Sequence, residues 1–363
     1  MSGTPITSVT ATAYKVPTEE PESDGTLEWD AVTLVAAEIR AGDHTGIGYT
    51  YADKSAAVLI DGLLSGVLQG RDAMAIPGSW WAMVTAIRNL GWEGISATAI
   101  AALDIALWDL KAKLLDVCLA DLLGRAHEAV PVYGSGGLTS YGERELCDQL
   151  AGWVTAGIPR VKMKIGRDPV ADAPRVRAVR EAIGPEAELY VDANGAYSRQ
   201  QALAQAQQFA ECDVTWFEEP VSSNDLDGLR LLRDSGPPGM EVTAGEYGYE
   251  PQYFRRMLDA RAVDVLQIDC TRACGITGLQ GVAALCTAYE VPLSAHCAPQ
   301  VHAHACAGVG PLRHCEYFHT HARVERMLFD GVLEPENGML RPDRGRPGLG
   351  IELKRTEAEE FAV

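Results

Sequence analysis

The chain contains no apolar run approaching the ~18 residues that a membrane-spanning helix requires, so no membrane partner is expected. Its first residues, MSGTPITSVTATAY, lack a basic stretch followed by an apolar one, and no secretory leader is expected. No CxxC pair occurs among the 9 cysteines. An odd number without such pairs suits reduced thiols in a cytoplasm better than a disulfide framework. Positive charge is scarce: 31 Lys and Arg face 50 Asp and Glu, a net charge of -19, which argues against a nucleic-acid partner. An anionic small molecule must therefore be held by local cations and not drawn in by the field of the whole protein. No low-complexity linker and no short repeat interrupts the chain. At ~150 residues per domain, 363 residues suggest two domains, with ample chain for a large core.

What the second half does contain is a series of ionisable residues at nearly even spacing: Lys162 and Lys164, then Asp192, Glu218, Glu246, Asp269, His296 and Glu316. From Lys164 onward the steps are 28, 26, 28, 23, 27 and 20 residues. A strand, a helix and two loops need about that length. Each residue also ends a strand-like segment: VKMK, LYVDAN, VTWFEE, EVTAGE, VDVLQID, VPLSAH and, more weakly, LRHCE. Repeated strand-helix units close a (β/α)8 barrel, which keeps its chemistry at the C-terminal ends of its strands. The spacing thus predicts an active site on one face of an α/β barrel.

The first part of the chain reads differently. Residues 5–40 predict a β-hairpin, ITSVTATAYKV and WDAVTLVAAEIRA, joined by the polar loop TEEPESDGTLE. A short strand, GIGYTYA, follows. The clearest helix is SATAIAALDIALWDLKAKLLD, with Ser96 as its expected N-cap and Ile100, Leu103, Leu107, Leu110 and Leu114 at helical spacing. These elements predict an α+β capping domain over residues 1–128 and a barrel over 129–333. A Gly- and Pro-rich segment, 334–363, is expected to return to the cap.

The residue types indicate the chemistry. Three carboxylates on successive strand ends, Asp192, Glu218 and Glu246, repel one another unless a cation sits between them. Hard oxygen ligands with room for water and substrate suit Mg2+. Glu219 points away from Glu218 and is expected to support the site without taking part. Lys162 and Lys164 share one strand face; paired ammonium groups depress each other's pKa, which makes a lysine a usable base. Asp269 and His296 lie one repeat apart, so the carboxylate can fix the tautomer of the ring. Six of the 8 histidines fall between His296 and His321, with Cys297, Cys306 and Cys315 among them. His302 and Cys306, four apart, are only two ligands, and this stretch is expected to be crowded but unmetallated.

Taken together, KMK, VDANGAY, WFEEP, AGE, QIDCTRACGITG and SAH, with ALDIALWDLKAK, LLGR and PGLGIEL elsewhere, resemble the enolase superfamily and within it the mandelate racemase subgroup. The resemblance covers nearly the whole chain. It implies one Mg2+ per active site, held by Asp192, Glu218 and Glu246, and an enediolate intermediate formed from a small carboxylate substrate. It also implies Lys164 as the base on one face, with Lys162 beside it near the substrate carboxylate. His296 with Asp269 becomes the acid/base on the other face, Glu316 the acid that hydrogen-bonds the substrate carboxylate, and Asn194 a contact to the metal-bound hydroxyl. The muconate-type branch carries a lysine where this chain has Asp269, which speaks against that branch. Selectivity is expected in the cap segments Thr26–Asp30 and Tyr49–Lys54, with Trp29 and Tyr49 as substrate-binding residues. A homo-oligomer, dimer to octamer, is expected. Dehydration of an acid sugar to a 2-keto-3-deoxy acid is the favoured outcome, because the cap loops are polar; racemisation or epimerisation is the alternative. A metal-free glycosidase using Glu218 and Glu246 would leave the lysines and the His-Asp pair without a role, and a non-catalytic scaffold would not need every chemical group to be present.

Overall fold

The computed structural model describes residues 3–363. Strands β1 (Ile6–Ser23), β2 (Glu28–Ala41) and β3 (His44–Tyr51) form an antiparallel sheet in that order. The expected polar loop is shorter than the composition suggests. β1 runs on to Ser23, and after an irregular register its pairing with β2 resumes at Glu22↔Trp29 and Ser23↔Glu28. Tertiary partners explain this: buried Glu22 accepts from Trp29 Nε1 (2.8 Å) and from Thr320 Oγ1 of the barrel (2.9 Å). The remaining turn is held by Asp24, whose Oδ1 accepts from the amides of Thr26 and Leu27, each at 2.7 Å.

The helix Ile95–Leu114 packs across this sheet. It comes close because Gly46 and Gly48 lack side chains. A Cβ there would sit 2.2 Å from the Ala106 carbonyl oxygen and 2.3 Å from that of Ala102. Ser96 is not the N-cap: the chain enters through Gly94 at φ 75°, a conformation open to glycine, and the helix has begun before Ser96.

Eight parallel strands follow: β4 (Val130–Gly136), β5 (Arg160–Lys164), β6 (Glu188–Asp192), β7 (Val214–Glu218), β8 (Glu241–Ala244), β9 (Val265–Ile268), β10 (Leu293–Ala295) and β11 (Leu312–Phe318). They pair in sequence order, and β11 returns to β4 to close the barrel. Each is followed by a helix. The register sets Lys164 opposite Asp192, and Asp192 opposite Glu218. Below that layer the bore is filled by Tyr133, Tyr190, Trp216 and His314, with the Tyr190 and Trp216 rings stacked at 5.2 Å. Chemistry is thereby confined to the open end of the strands.

The final segment lies against the cap. Leu349 donates its amide to buried Asp109 of the long helix (2.7 Å), and Val363 donates to the Ala13 carbonyl (3.0 Å). No helix among the described residues is long and apolar enough to cross a membrane.

Candidate active site

The strand ends bring the predicted ionisable residues into one buried cluster. Asp192, Glu218 and Glu246 each present a carboxylate oxygen within 4.8 Å of the other two. Lys164 Nζ lies 2.5 Å from Asp192 Oδ2. His296 Nδ1 is 2.9 Å from Asp269 Oδ2, and its Nε2 is 3.0 Å from Glu246 Oε2. The other Asp269 oxygen accepts from the Thr271 hydroxyl at 2.7 Å, so the carboxylate that orients the ring is itself held. Glu316 receives Lys162 Nζ on Oε1 (2.8 Å) and the Cys297 amide on Oε2 (3.0 Å).

Lys162 is placed differently from Lys164. It is fully buried beneath the carboxylates, with Nζ 2.6 Å from Glu218 Oε1 and 3.3 Å from Asp192 Oδ2. The depressed lysine pKa expected from pairing does not hold among the protein's own charges. For Lys162, burial favours the neutral amine, but Glu218, Glu316 and Asp192 outweigh it and hold the pKa well above the usual range. Lys164 is raised likewise, with Asp192 overcoming burial and the repulsion of Lys162. Carboxylates one strand away outweigh a like charge on the same strand. Burial and the neighbouring Asp192 push Glu218 up to about 8, the mark of anions crowded together. For His296, burial is outweighed by the acidic groups around it, Cys297, Glu246, Glu316 and Asp269, and its pKa is raised well above the usual value.

The cluster forms the floor of a cavity of about 450 Å3. Lys164, Asn194, Glu246, His296 and Glu316 reach it from the barrel; Asp24, Leu27, Trp29, Val32, Tyr51 and Asp53 reach it from the cap. Tyr49 does not. Its ring is buried against Phe329 (5.3 Å), and its hydroxyl donates to Glu325 at 2.5 Å. Tyr51, on the same strand face and one pleat further along, occupies the wall and stacks on His321 at 3.4 Å. Glu219 is buried, with φ 39° and Oε1 unpaired.

The donor set fits a hard divalent cation. Three carboxylates converge, and beside them Asn194 Oδ1 is buried without a hydrogen bond. Such oxygens suit Mg2+.

Residues 8–124 match the family described as mandelate racemase / muconate lactonizing enzyme, N-terminal domain, and residues 145–358 match the enolase C-terminal domain-like family. The chain belongs to the mandelate racemase subgroup of the enolase superfamily. Among curated proteins, it is 31% identical to D-galactarolactone cycloisomerase of Agrobacterium fabrum, over 95% of both chains. It is 30% identical to L-talarate/galactarate dehydratase of Salmonella typhimurium, over 89% of this chain and 81% of that one. Among solved structures, a mandelate racemase/muconate lactonizing enzyme-like protein from Rubrobacter xylanophilus superposes with a TM-score of 0.97 at 55% identity, covering 99% of each chain. A racemase from Streptomyces coelicolor A3(2), solved with bound magnesium, superposes with a TM-score of 0.93 at 30% identity, over 99% of this chain and 100% of that one. The chain is thus an enzyme of a family of dehydratases, cycloisomerases and racemases, and its carboxylate triad is a cluster that could hold a metal ion such as the magnesium seen in its structural neighbours.

Among the wall residues that escaped sequence reasoning are Tyr247, Arg272, Phe318 and His321. Signals existed for three of them. Phe318 lies two residues beyond Glu316 on the same strand face, Tyr247 directly follows Glu246, and Arg272 belongs to the same turn as Asp269. His321 sits in the first turn of the helix His319–Leu328, and nothing local marks it. The crowded histidines mostly serve packing: His302 Nδ1 meets the Cys297 carbonyl at 2.7 Å, and His314 Nδ1 meets Ser294 Oγ at 2.9 Å.

Proposed function

We propose that the enzyme removes the proton next to a carboxylate with Lys164 on one face and His296 on the other, and that it dehydrates an acid sugar to a 2-keto-3-deoxy acid. One observation supports this reading above the rest. The two proton-transfer groups stand at opposite ends of the carboxylate triad, Lys164 on Asp192 (2.5 Å) and His296 beside Glu246 (3.0 Å). Magnesium, when held by Asp192, Glu218 and Glu246, supplies the positive charge that offsets the three carboxylates and the second negative charge developing on the substrate.

The protein's own groups do the rest. Lys164 takes the α-proton as the neutral amine, a form that a cation held on Asp192 would favour by offsetting the negative charge that raises its pKa. The imidazolium of His296, favoured by its acidic surroundings, gives its proton to the β-hydroxyl, which leaves as water. The resulting enol tautomerises to the keto acid. Glu316 faces the substrate carboxylate; Lys162 and His296 outweigh burial and hold its carboxyl below the usual range, and an anion beside it works against them, toward the protonated form that can donate. Lys162 works from below by holding Glu218 and Glu316 in position. Asn194 offers its unpaired Oδ1 to the substrate hydroxyl. A homo-oligomer, dimer to octamer, in the cytoplasm completes the reading. All 9 cysteines are unpaired, as a reducing compartment leaves them.

A second outcome, racemisation or epimerisation, uses the same residues and is favoured by a different observation. Leu27, Trp29, Val32, Tyr51 and Phe318 make much of the wall apolar, and Asp24 and Asp53 are each engaged with their own turns. Incubation of aldonic and aldaric acids in D2O separates the outcomes. Dehydration yields a keto product trapped as a semicarbazone; racemisation yields α-deuterium and inverted substrate. A full sugar-acid library that gives no keto product, alongside exchange in a 2-hydroxy acid, overturns dehydration in favour of racemisation.

A further inference from the structure

We propose that His296, Cys297 and Glu316 form a second cation site, for a thiophilic divalent ion such as Zn2+, directly beside the carboxylate triad, whose Glu246 Oε2 lies 3.0 Å from His296 Nε2. The three donor atoms make a triangle with Cys297 Sγ 3.3 Å from His296 Nε2, Sγ 3.3 Å from Glu316 Oε2, and Nε2 3.6 Å from Oε2. Bonds of about 2.3 Å to sulfur and about 2.0–2.1 Å to nitrogen and oxygen, at tetrahedral angles, separate ligand atoms by about 3.3–3.6 Å. Each edge of the triangle lies within about 0.3 Å of the corresponding edge of a tetrahedron at zinc dimensions, the sulfur edges being slightly short and the nitrogen-oxygen edge slightly long. Mixed nitrogen, sulfur and oxygen donors suit zinc and not magnesium.

The supports are also present. The other ring nitrogen of His296 is held by Asp269 at 2.9 Å, the carboxylate backing common to metal-bound histidines. The Cys297 amide donates to Glu316 Oε2 at 3.0 Å, which ties two of the donors together. All three residues line the cavity, so the fourth position opens toward solvent or a ligand. The Cys297 thiol proton passes to solvent as the sulfur-metal bond forms. Sequence spacing alone conceals this site, because its ligands come from the ends of two adjacent strands, β10 and β11, and from no short motif. If the proposed proton transfer is right, an ion on His296 Nε2 and Glu316 removes one of its two arms, and bound zinc inhibits. The site itself does not depend on that reading.

The test uses the enzyme saturated with magnesium, so that the triad is filled. Zn2+ uptake is measured by equilibrium dialysis, and Co2+ is used as a probe for its thiolate charge-transfer absorption. One zinc per chain beyond the magnesium is expected, with a cobalt-thiolate band, and both are expected to disappear in Cys297→Ala and in Cys297→Ser. Asp269→Asn should weaken zinc binding by about 10–100-fold while keeping the band. Zinc inhibition of α-proton exchange, relative to each protein's own zinc-free rate, should be lost with Cys297. A band that persists in both Cys297 variants, or zinc uptake equal to that of the parent, overturns the proposal. If the parent shows no exchange with any acid, the proton-transfer reading fails, while stoichiometry and absorption still decide the site.

Discussion

Across one cavity, the barrel presents Lys164, Glu246, His296 and Glu316, while the cap presents Leu27, Trp29, Val32 and Tyr51. The barrel groups are tied to one another: each sits within 3.6 Å of another ionisable partner, and their backbones are strand ends inside a closed ladder. The cap groups have few such ties. Its two carboxylates at the cavity, Asp24 and Asp53, are engaged with their own turns, leaving mainly shape and apolar area to meet a ligand. The contrast separates two tasks. Proton transfer needs groups fixed to a fraction of an ångström and electrostatically coupled. Choice among substrates needs only a wall that can be changed without disturbing them.

That division can be broken most sharply at the triad. Glu246→Gln should lower kcat/KM by about 10³-fold or more while leaving the far-ultraviolet dichroism and the Tm near those of the parent, since it removes a metal ligand but little packing. Full activity after exhaustive EDTA treatment would sink the metal assignment. Next in size are the two faces. Lys164→Ala and His296→Asn should each cost about 10²–10⁴-fold in one direction of proton transfer. With a substrate whose α-proton exchanges, one variant should keep exchange for one stereoisomer and the other for its epimer. Wild-type exchange of both isomers in both variants would show that neither residue is a base.

Asp269→Asn probes the orientation of the ring. A loss of about 10–100-fold in His296 chemistry is expected with Mg2+ affinity unchanged; an equal loss of magnesium binding, read by titration calorimetry, would make Asp269 a ligand. The cap side is tested by Trp29→Ala and Leu27→Ala. These should shift the ratio of kcat/KM between two acids by about 10–200-fold, while α-proton exchange persists with at least one of them. Loss of exchange with every acid would erase the distinction between the regions.

The smallest effect concerns the joint between cap and barrel. Glu325, which accepts from Tyr49 at 2.5 Å, is pushed by burial from 4.5 to about 8. The folded protein thus keeps a proton that the unfolded chain releases, and the associated stability is fully present below about 4.5 and lost as the pH rises through about 8. The Tm should therefore fall between pH 6 and 9, and fall less in Glu325→Gln, a difference of about 2–4 °C. Parallel Tm profiles would assign the alkaline loss elsewhere.

The sequence by itself determined the barrel and most of its reactive floor. One strand-helix unit needs a nearly constant length of chain, so residues that must meet at strand ends recur at nearly constant spacing, and alternation puts Asp192 or Lys164 on the inner face. Even the shared face of Tyr49 and Tyr51 follows from period two. Which of those two reaches the cavity does not. That depends on where Phe329 and Glu325 arrive from a distant part of the chain. The same holds for the segment ending at Ser23, drawn into a strand by Thr320 and Trp29, and for Lys162, which sits under the carboxylates and is not beside Lys164 in the wall. The rise in the lysine pKa and the His296-Cys297-Glu316 triangle belong here too. Only the tertiary structure decided these features. Burial and Coulomb energy depend on distances between atoms far apart in the chain, and local pattern carries no information about them.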